Sequence, residues 1–109
     1  GCYLGTDIAG TAAQGNNAGV LITSSDNNII GGTTPGTRNV ISGNVGTGIQ
    51  IDPGADNVIQ GNFIGTDATG TTAVPNGRAG VFIWLSGGNL VGGASPAERN
   101  VISGNALNG

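Results

Sequence analysis

Residues 28–44 read NIIGGTTPGTRNVISGN, and residues 89–105 read NLVGGASPAERNVISGN, which aligns with the first stretch without a gap. Position 28 thus corresponds to position 89, and position 44 to position 105. In the same way LGTD at 4–7 matches IGTD at 64–67, where the offset is shorter by one residue. A chain of 109 residues that repeats its own sequence at a nearly fixed distance is typical of stacked structural repeats, so the repeat decides how every other motif is interpreted.

The long repeat divides into shorter units. Three runs begin with Gly and alternate in polarity, GVLI (19–22), GIQI (48–51) and GVFI (80–83), and an Asn follows each Gly nine residues later. A second Asn then precedes another apolar run; the six residues are Asn28, Asn57, Asn89, Asn39, Asn62 and Asn100. The shortest spacings are nine, five and nine residues, which give a unit of 23, and longer spacings contain loops of six, eight or nine additional residues.

This pattern predicts an all-β fold, a parallel β-helix with about 23 residues per core coil, three short strands per coil and loop insertions. No segment has the length and 3.6-residue periodicity of a helix in a βαβ unit. We expect one segment over 1–109, with a partial coil at 1–18 and coils at 19–47, 48–79 and 80–109. Because both end coils are incomplete, we expect it to be part of a longer array.

Strand alternation assigns side chains to an inner and an outer face. The inward ladders are expected to be Val20, Ile49 and Val81; Ile22, Ile51 and Ile83; Ile30, Ile59 and Val91; and Leu4, Ile41, Ile64 and Ile102. The outward residues are Leu21, Gln50 and Phe82; Ile29, Val58 and Leu90; and Val40, Phe63 and Val101. An exposed apolar stripe of this kind is typical of a partner surface. We expect the inserted loops to fold back over this stripe, with an open partner surface as the alternative.

The six Asn residues are predicted to form two ladders at the bends, one from Asn28, Asn57 and Asn89 and one from Asn39, Asn62 and Asn100. There the amides satisfy backbone groups and bond to one another along the axis. Arg38 and Arg99 each directly precede an Asn of the second ladder. We expect their guanidinium groups to contact a neighbouring backbone carbonyl or Asp.

The stretches GNFIGTDATGTTAVPNGRAGVFI (61–83) and NLVGGASPAERNVISGN (89–105) resemble repeats of large bacterial secreted or cell-surface proteins with right-handed parallel β-helix repeats. The resemblance covers essentially the whole chain. It implies a right-handed coil and an extracellular or cell-surface location, and it carries no catalytic residues across. The chain departs from the pattern at Cys2, which takes an Asn position, and in its short length.

Composition excludes several classes of partner. Charged residues make up 8% of the chain and the net charge is −3, so no basic stripe is present for nucleic acid. No apolar run approaches the roughly 20 residues of a membrane span. Cys2 is the only cysteine and has no partner for an internal disulfide.

Asp7 and Asp67 open the two GTD loops and are weak candidates for calcium ligands. A calcium ion takes about six to eight oxygen ligands, whereas each loop supplies one carboxylate. The favoured interpretation is that each Asp accepts backbone N–H bonds in an Asx-type turn. We therefore expect no metal and no cofactor, with calcium as the alternative.

Catalysis is not expected, and no catalytic residue is assigned. Glycoside hydrolysis needs two positioned carboxyls, and Asp52 and Asp56 have no acidic counterparts on neighbouring coils. We expect a non-catalytic structural or adhesive segment (a spacer, an adhesin stalk or a fibre component) that stacks on copies of itself or on neighbouring repeats of a parent chain. The alternative is a carbohydrate-binding or polysaccharide-cleaving β-helix whose active residues lie outside the segment. Phe82 and Trp84 then form the candidate ligand face for surface glycans.

Overall fold

The structure, a computed structural model, describes all residues from 1 to 109. Its regular elements are ten short strands and one turn of 3₁₀ helix at Pro96–Glu98. The strands are β1 (Tyr3–Leu4), β2 (Val20–Ile22), β3 (Ile29–Gly31), β4 (Val40–Ile41), β5 (Ile49–Ile51), β6 (Val58–Gln60), β7 (Phe63–Ile64), β8 (Val81–Ile83), β9 (Leu90–Val91) and β10 (Val101–Ile102). No helix has the length and apolar character needed to cross a lipid bilayer.

The strands form three parallel sheets. The first sheet has the order β2-β5-β8, the second β3-β6-β9 and the third β1-β4-β7-β10. Along the chain, consecutive strands enter the sheets in turn, and every paired strand is parallel to its neighbour. The expected all-β fold of short parallel strands is therefore confirmed at this level: three sheets, each built by stacking every third strand.

Pairing distances along the chain follow the sequence spacings. Val40 pairs with Phe63 at the shortest spacing in the stack, which contains no inserted loop. In the first and second sheets the spacing is six residues longer where loop 33–38 intervenes, as for Ile49 against Val20. It is nine residues longer than the shortest spacing where the loop after Thr66 intervenes, as for Val81 against Ile49. The loops therefore lengthen the path between rungs without shifting the register of the strands.

The core is a narrow column of aliphatic side chains between the sheets. The predicted inward ladders pair in register, and the buried cluster consists of Ile22, Ile30, Ile41, Ile49, Ile51, Ile59 and Ile64. Each fully buried aliphatic side chain contributes roughly 1.5–3 kcal/mol. The inward side chains of the last coil, on β8 and β9, are more exposed to solvent: Ile83 is 36% and Val91 41% exposed. Burial therefore falls from the middle of the stack toward β8 and β9.

The two alternatives for the outer apolar stripe hold on different sheets. On the third sheet the outer face is covered, as expected: Val40 is 3% exposed, and Phe63 is half-buried. The GTD loops pack there, and a Cβ built on Gly70 (φ +74) would lie 2.8 Å from Phe63 Cζ. Only glycine lets the loop backbone approach the ring so closely. On the first and second sheets the expected covering by loops is wrong and the outer face stays open; its exposed members are Leu21, Ile29, Phe82 and Leu90.

Candidate functional site

The first predicted row of Asn residues lies at the bend before the second sheet. Asn28 Nδ2 donates to Asn57 Oδ1 at 2.8 Å, and Asn57 Nδ2 donates to Asn89 Oδ1 at 2.9 Å. The backbone N–H groups of Asn28 and Asn57 donate to the same two oxygens at 2.8 and 2.9 Å. Asn57, in the middle, is fully buried. The structure thus brings these three amides together in one column.

The second row lies at the bend before the third sheet. Asn39 Nδ2 donates to Asn62 Oδ1 at 3.0 Å, and Asn62 Nδ2 donates to Asn100 Oδ1 at 3.2 Å. Cys2 occupies the first position of this row and donates its backbone N–H to Asn39 Oδ1 at 2.9 Å. At this position the row uses only the main chain of Cys2, whose thiol is exposed and free.

A third row lies at the remaining bend and was not predicted. Asn44 Nδ2 donates to Asn76 Oδ1 at 2.9 Å, and Asn76 Nδ2 donates to Asn105 Oδ1 at 2.8 Å. The signal is present in the sequence, because each of the three lies four residues before a Gly of the repeat (Gly48, Gly80 and Gly109). In the first coil Asn16 lies only three residues before Gly19. It joins the row through its backbone N–H, which donates to Asn44 Oδ1 at 3.2 Å.

All three rows have the same polarity. Except in Asn28 and Asn39, which are the first Asn residues of their rows, the Oδ1 of each Asn accepts from the preceding coil, and its Nδ2 donates back to a main-chain carbonyl of that coil, as in Asn62 to Ile30 at 2.9 Å and Asn76 to Ile41 at 3.0 Å. No buried side-chain polar atom lacks a partner. The last members, Asn89, Asn100 and Asn105, keep backbone N–H groups that have no acceptor. Each row therefore ends, in the last coil, with a backbone N–H group that has no acceptor.

Each GTD loop forms a small hairpin closed by an antiparallel bridge, Thr6 to Ala13 in one and Thr66 to Ala73 in the other. The acidic residue sits at its base. Asp67 Oδ1 accepts from Thr69 Oγ1 at 2.7 Å and from three backbone N–H groups, those of Thr69, Thr71 and Thr72, at 3.2–3.3 Å.

Asp7 plays the same part in the first hairpin, where its Oδ1 accepts from the N–H groups of Thr11 at 2.9 Å and Ala12 at 3.2 Å. The Thr11 N–H bond is the main cause that lowers the pKa of Asp7. The Thr69 hydroxyl is the main cause that lowers the pKa of Asp67. No group of three His, Cys, Asp or Glu side chains is close enough to hold a metal ion. Each carboxylate organises its own hairpin.

Arg38 lies where the repeat spacing places it, opposite Gly61 of the next coil. Its Nε donates to Gly61 O at 3.0 Å, which confirms the expected contact with a backbone carbonyl. Its guanidinium carbon also lies 4.2 Å from the centre of the Phe63 ring. This cation–π contact was not predicted. Arg99, at the equivalent position, makes no side-chain hydrogen bond.

Loop 94–99 contains a capping box that sequence analysis missed. Glu98 Oε2 accepts from the Ser95 N–H at 2.6 Å, which is the main cause that lowers the pKa of Glu98. Ser followed by Glu three residues later is the sequence signature of this motif. In the equivalent loop Thr37 takes the place of Glu98 and donates to Thr34 O at 2.6 Å.

Phe82 and Trp84 lie on the outer side of β8 and the turn that follows it. They are 39% and 54% exposed, and their rings are parallel to within 6° with centroids 6.2 Å apart. The structure therefore brings the two residues of the candidate ligand face into contact, and the pair presents a flat apolar surface to solvent.

No protein-family model, no curated protein and no solved structure matches this chain.

Proposed function

We propose that the chain is a segment of a right-handed parallel β-helix that serves as a non-catalytic structural or adhesive element of an extracellular bacterial protein. The observation that supports this most is the set of three hydrogen-bonded Asn rows running through the stack. An Asn in such a row has all its partners only when a like coil lies on both sides. Rows of this kind stabilise a rod whose length is set by the number of coils.

The polarity of the rows supports a specific partner. The open N–H groups of Asn89, Asn100 and Asn105 require acceptors on a next coil, and inside the chain the acceptor is always an Asn Oδ1. The partner is therefore another coil of the same kind, from neighbouring repeats of a parent protein or from a second copy of this chain. The first coil of a second copy offers Asn28 to the first row, but in the second row it has Cys2, which carries no amide oxygen. Open strands β8, β9 and β10 add unpaired main-chain groups of the kind that template edge-to-edge association.

Assembly tests this proposal. We expect the purified chain to form filaments as its concentration rises, seen by sedimentation velocity and negative-stain microscopy. Val91→Lys places a charge on the half-open last rung, where it blocks stacking, so this variant remains monomeric with an unchanged circular dichroism spectrum. Leu21→Lys, on the exposed outer face, is the matched control and assembles normally. A wild-type chain that stays monomeric at high concentration contradicts the proposal.

A second candidate function is carbohydrate binding at the face formed by Phe82 and Trp84. The parallel contact between the two exposed rings supports it. Rigid aromatic side chains offer large contact area at a low cost in conformational entropy. A rod that carries such a face suits attachment to a surface glycan.

A further inference from the structure

A groove runs along the stack beside the bend of the third Asn row. It consists of two adjoining cavities of about 280 and 320 Å³. Thr47, Gln50 and Arg78 line both cavities, and Phe82 lines the first. Cavities of roughly 300 Å³ and more are the usual size of small-molecule sites.

Backbone pairing explains why the groove is open at its centre. Arg78 N–H donates to Gly46 O at 3.1 Å, and Gly46 N–H donates to Asn17 O at 2.9 Å, so these residues stack in one row. Because Gly46 has no side chain, space remains beside the Arg78 side chain. On the opposite wall Gln50 pairs directly with Phe82 in the first sheet, which places an amide next to an aromatic ring.

Two donor groups in the groove, the Arg78 guanidinium and Gln50 Nε2, are unpaired. Arg78 is exposed and makes no side-chain hydrogen bond or ion pair. Thr47 Oγ1 donates to Gln50 Oε1 at 3.3 Å, and Gln50 Nε2 has no partner. No Asp or Glu lines either cavity, although the chain as a whole has a net charge of −3. The groove is therefore a locally cationic, donor-rich site on an acidic protein.

Phe82 supplies the apolar part of the site. Its ring lines the groove, while the Trp84 indole, which does not line it, lies parallel to the ring at a centroid distance of 6.2 Å. A flat apolar surface next to a free guanidinium and a free amide matches a ligand that carries an anionic group, hydroxyl groups and an apolar face on one small ring.

We propose that this groove binds an acidic saccharide. Arg78 pairs with the carboxylate of a uronate residue, Gln50 Nε2 donates to a sugar oxygen, and Phe82 packs on the apolar face of the sugar ring. This inference rests on the second candidate function, carbohydrate binding, and names its ligand class.

Binding is measured by NMR titration of the ¹⁵N-labelled Val91→Lys variant, which is expected to remain monomeric, with an oligogalacturonate and, separately, with a neutral galactose oligomer of the same length. We expect the acidic oligomer to perturb the amides of Thr47, Gln50 and Arg78 and to bind at least about tenfold more tightly than the neutral one. Arg78→Gln weakens binding of the acidic oligomer about tenfold. Arg99→Gln, which removes a cation outside the groove, leaves the affinity unchanged, and the spectra report that each variant is folded.

The outcomes separate the two proposals. Equal binding of both oligomers, lost in Phe82→Ala, overturns the acidic ligand class and keeps carbohydrate binding. No perturbation by either oligomer at millimolar concentration overturns both. Weakening by Arg99→Gln as large as that by Arg78→Gln indicates general charge attraction and also overturns the groove as the site.

Discussion

The asparagine side chain suits a stacked coil because it carries one acceptor oxygen and two donor hydrogens on a short arm. Asn57 uses all of them: its Oδ1 accepts from Asn28, and its Nδ2 donates to Asn89 Oδ1 and to Ser25 O. Asp would lack the donors. The amide therefore joins three successive coils at a buried bend.

Replacing Asn57 by Ala tests this role. The change leaves the Asn28 backbone N–H without its acceptor and removes the Nδ2 bond to Asn89, so we expect a loss of about 1–3 kcal/mol in unfolding free energy. The measurement is urea denaturation followed by circular dichroism. Asn17→Ala, an exposed Asn whose side chain makes no hydrogen bond, is the control and should change stability by less than about 0.5 kcal/mol. Equal effects of the two substitutions would show that the row does not stabilise the fold.

At the level of elements, the acidic hairpins make stability depend on pH. The pKa values of Asp7 and Asp67 are lowered in the folded chain by the N–H and hydroxyl groups that each carboxylate accepts from. A lowered folded-state pKa contributes stability above the ordinary pKa, and this contribution is lost as the pH falls through the folded value. The melting temperature should therefore be level above about pH 5 and fall below about pH 4.

The double variant Asp7→Asn with Asp67→Asn isolates this effect. An amide oxygen still accepts the hairpin bonds but does not titrate, so we expect a smaller fall in melting temperature between about pH 4 and pH 2 than in wild type. Glu98, whose pKa is also lowered, accounts for part of the remaining fall. Identical pH profiles for the two proteins would contradict the assignment.

Calcium provides a separate test of the hairpins. Because Asp67 Oδ1 already accepts four hydrogen bonds, we expect the melting temperature of the wild-type chain to be the same in excess calcium and in chelator. Asp67→Asn should behave in the same way. A calcium-dependent rise in wild type that disappears in Asp67→Asn would instead assign the loop as a metal site.

At the scale of the whole molecule, the cost of a substitution depends on the rung it occupies. Ile51 and Ile83 belong to one ladder, but Ile51 is fully buried and Ile83 is 36% exposed on the last rung. Ile51→Asp buries an unpaired charge, so we expect the chain to be unfolded at about 25 °C by circular dichroism. Ile83→Asp, where water reaches the carboxylate, should leave it folded with a lower melting temperature. If both substitutions unfold the chain to the same degree, the cost of a substitution does not depend on the position of its coil in the stack.

Much of this architecture is predictable because the decisive interactions repeat. Alternating runs such as GIQI, bounded by Gly and Asn, place the strands, and equal spacing places Ile49 between Val20 and Val81. The third Asn row was not predicted because its first member, Asn16, lies three residues before the Gly of its repeat, whereas the other members lie four residues before theirs. A comparison of the residues four positions before each Gly would have found Asn44 and Asn76.

The groove, and the choice of which sheet the loops cover, could not be predicted in the same way. Both depend on loops that connect coils of different length, and these loops have no periodicity. The covering of Phe63 depends on how the hairpin after Gly65 folds back, and the groove depends on a free Arg78 beside Gly46. Contacts of this kind are set by tertiary packing, not by a local pattern.

The most direct test of the stacked rows is NMR detection of scalar couplings across their hydrogen bonds. For the ¹³C,¹⁵N-labelled Val91→Lys variant, which is expected to remain monomeric, we expect correlations from the backbone nitrogen of Asn28 to the side-chain carbonyl carbon of Asn57, and from Asn57 to that of Asn89. The same pattern should link Asn62 to Asn100. If these correlations are absent while the same amides couple to other acceptors, like residues do not lie above one another and the proposed stack is wrong.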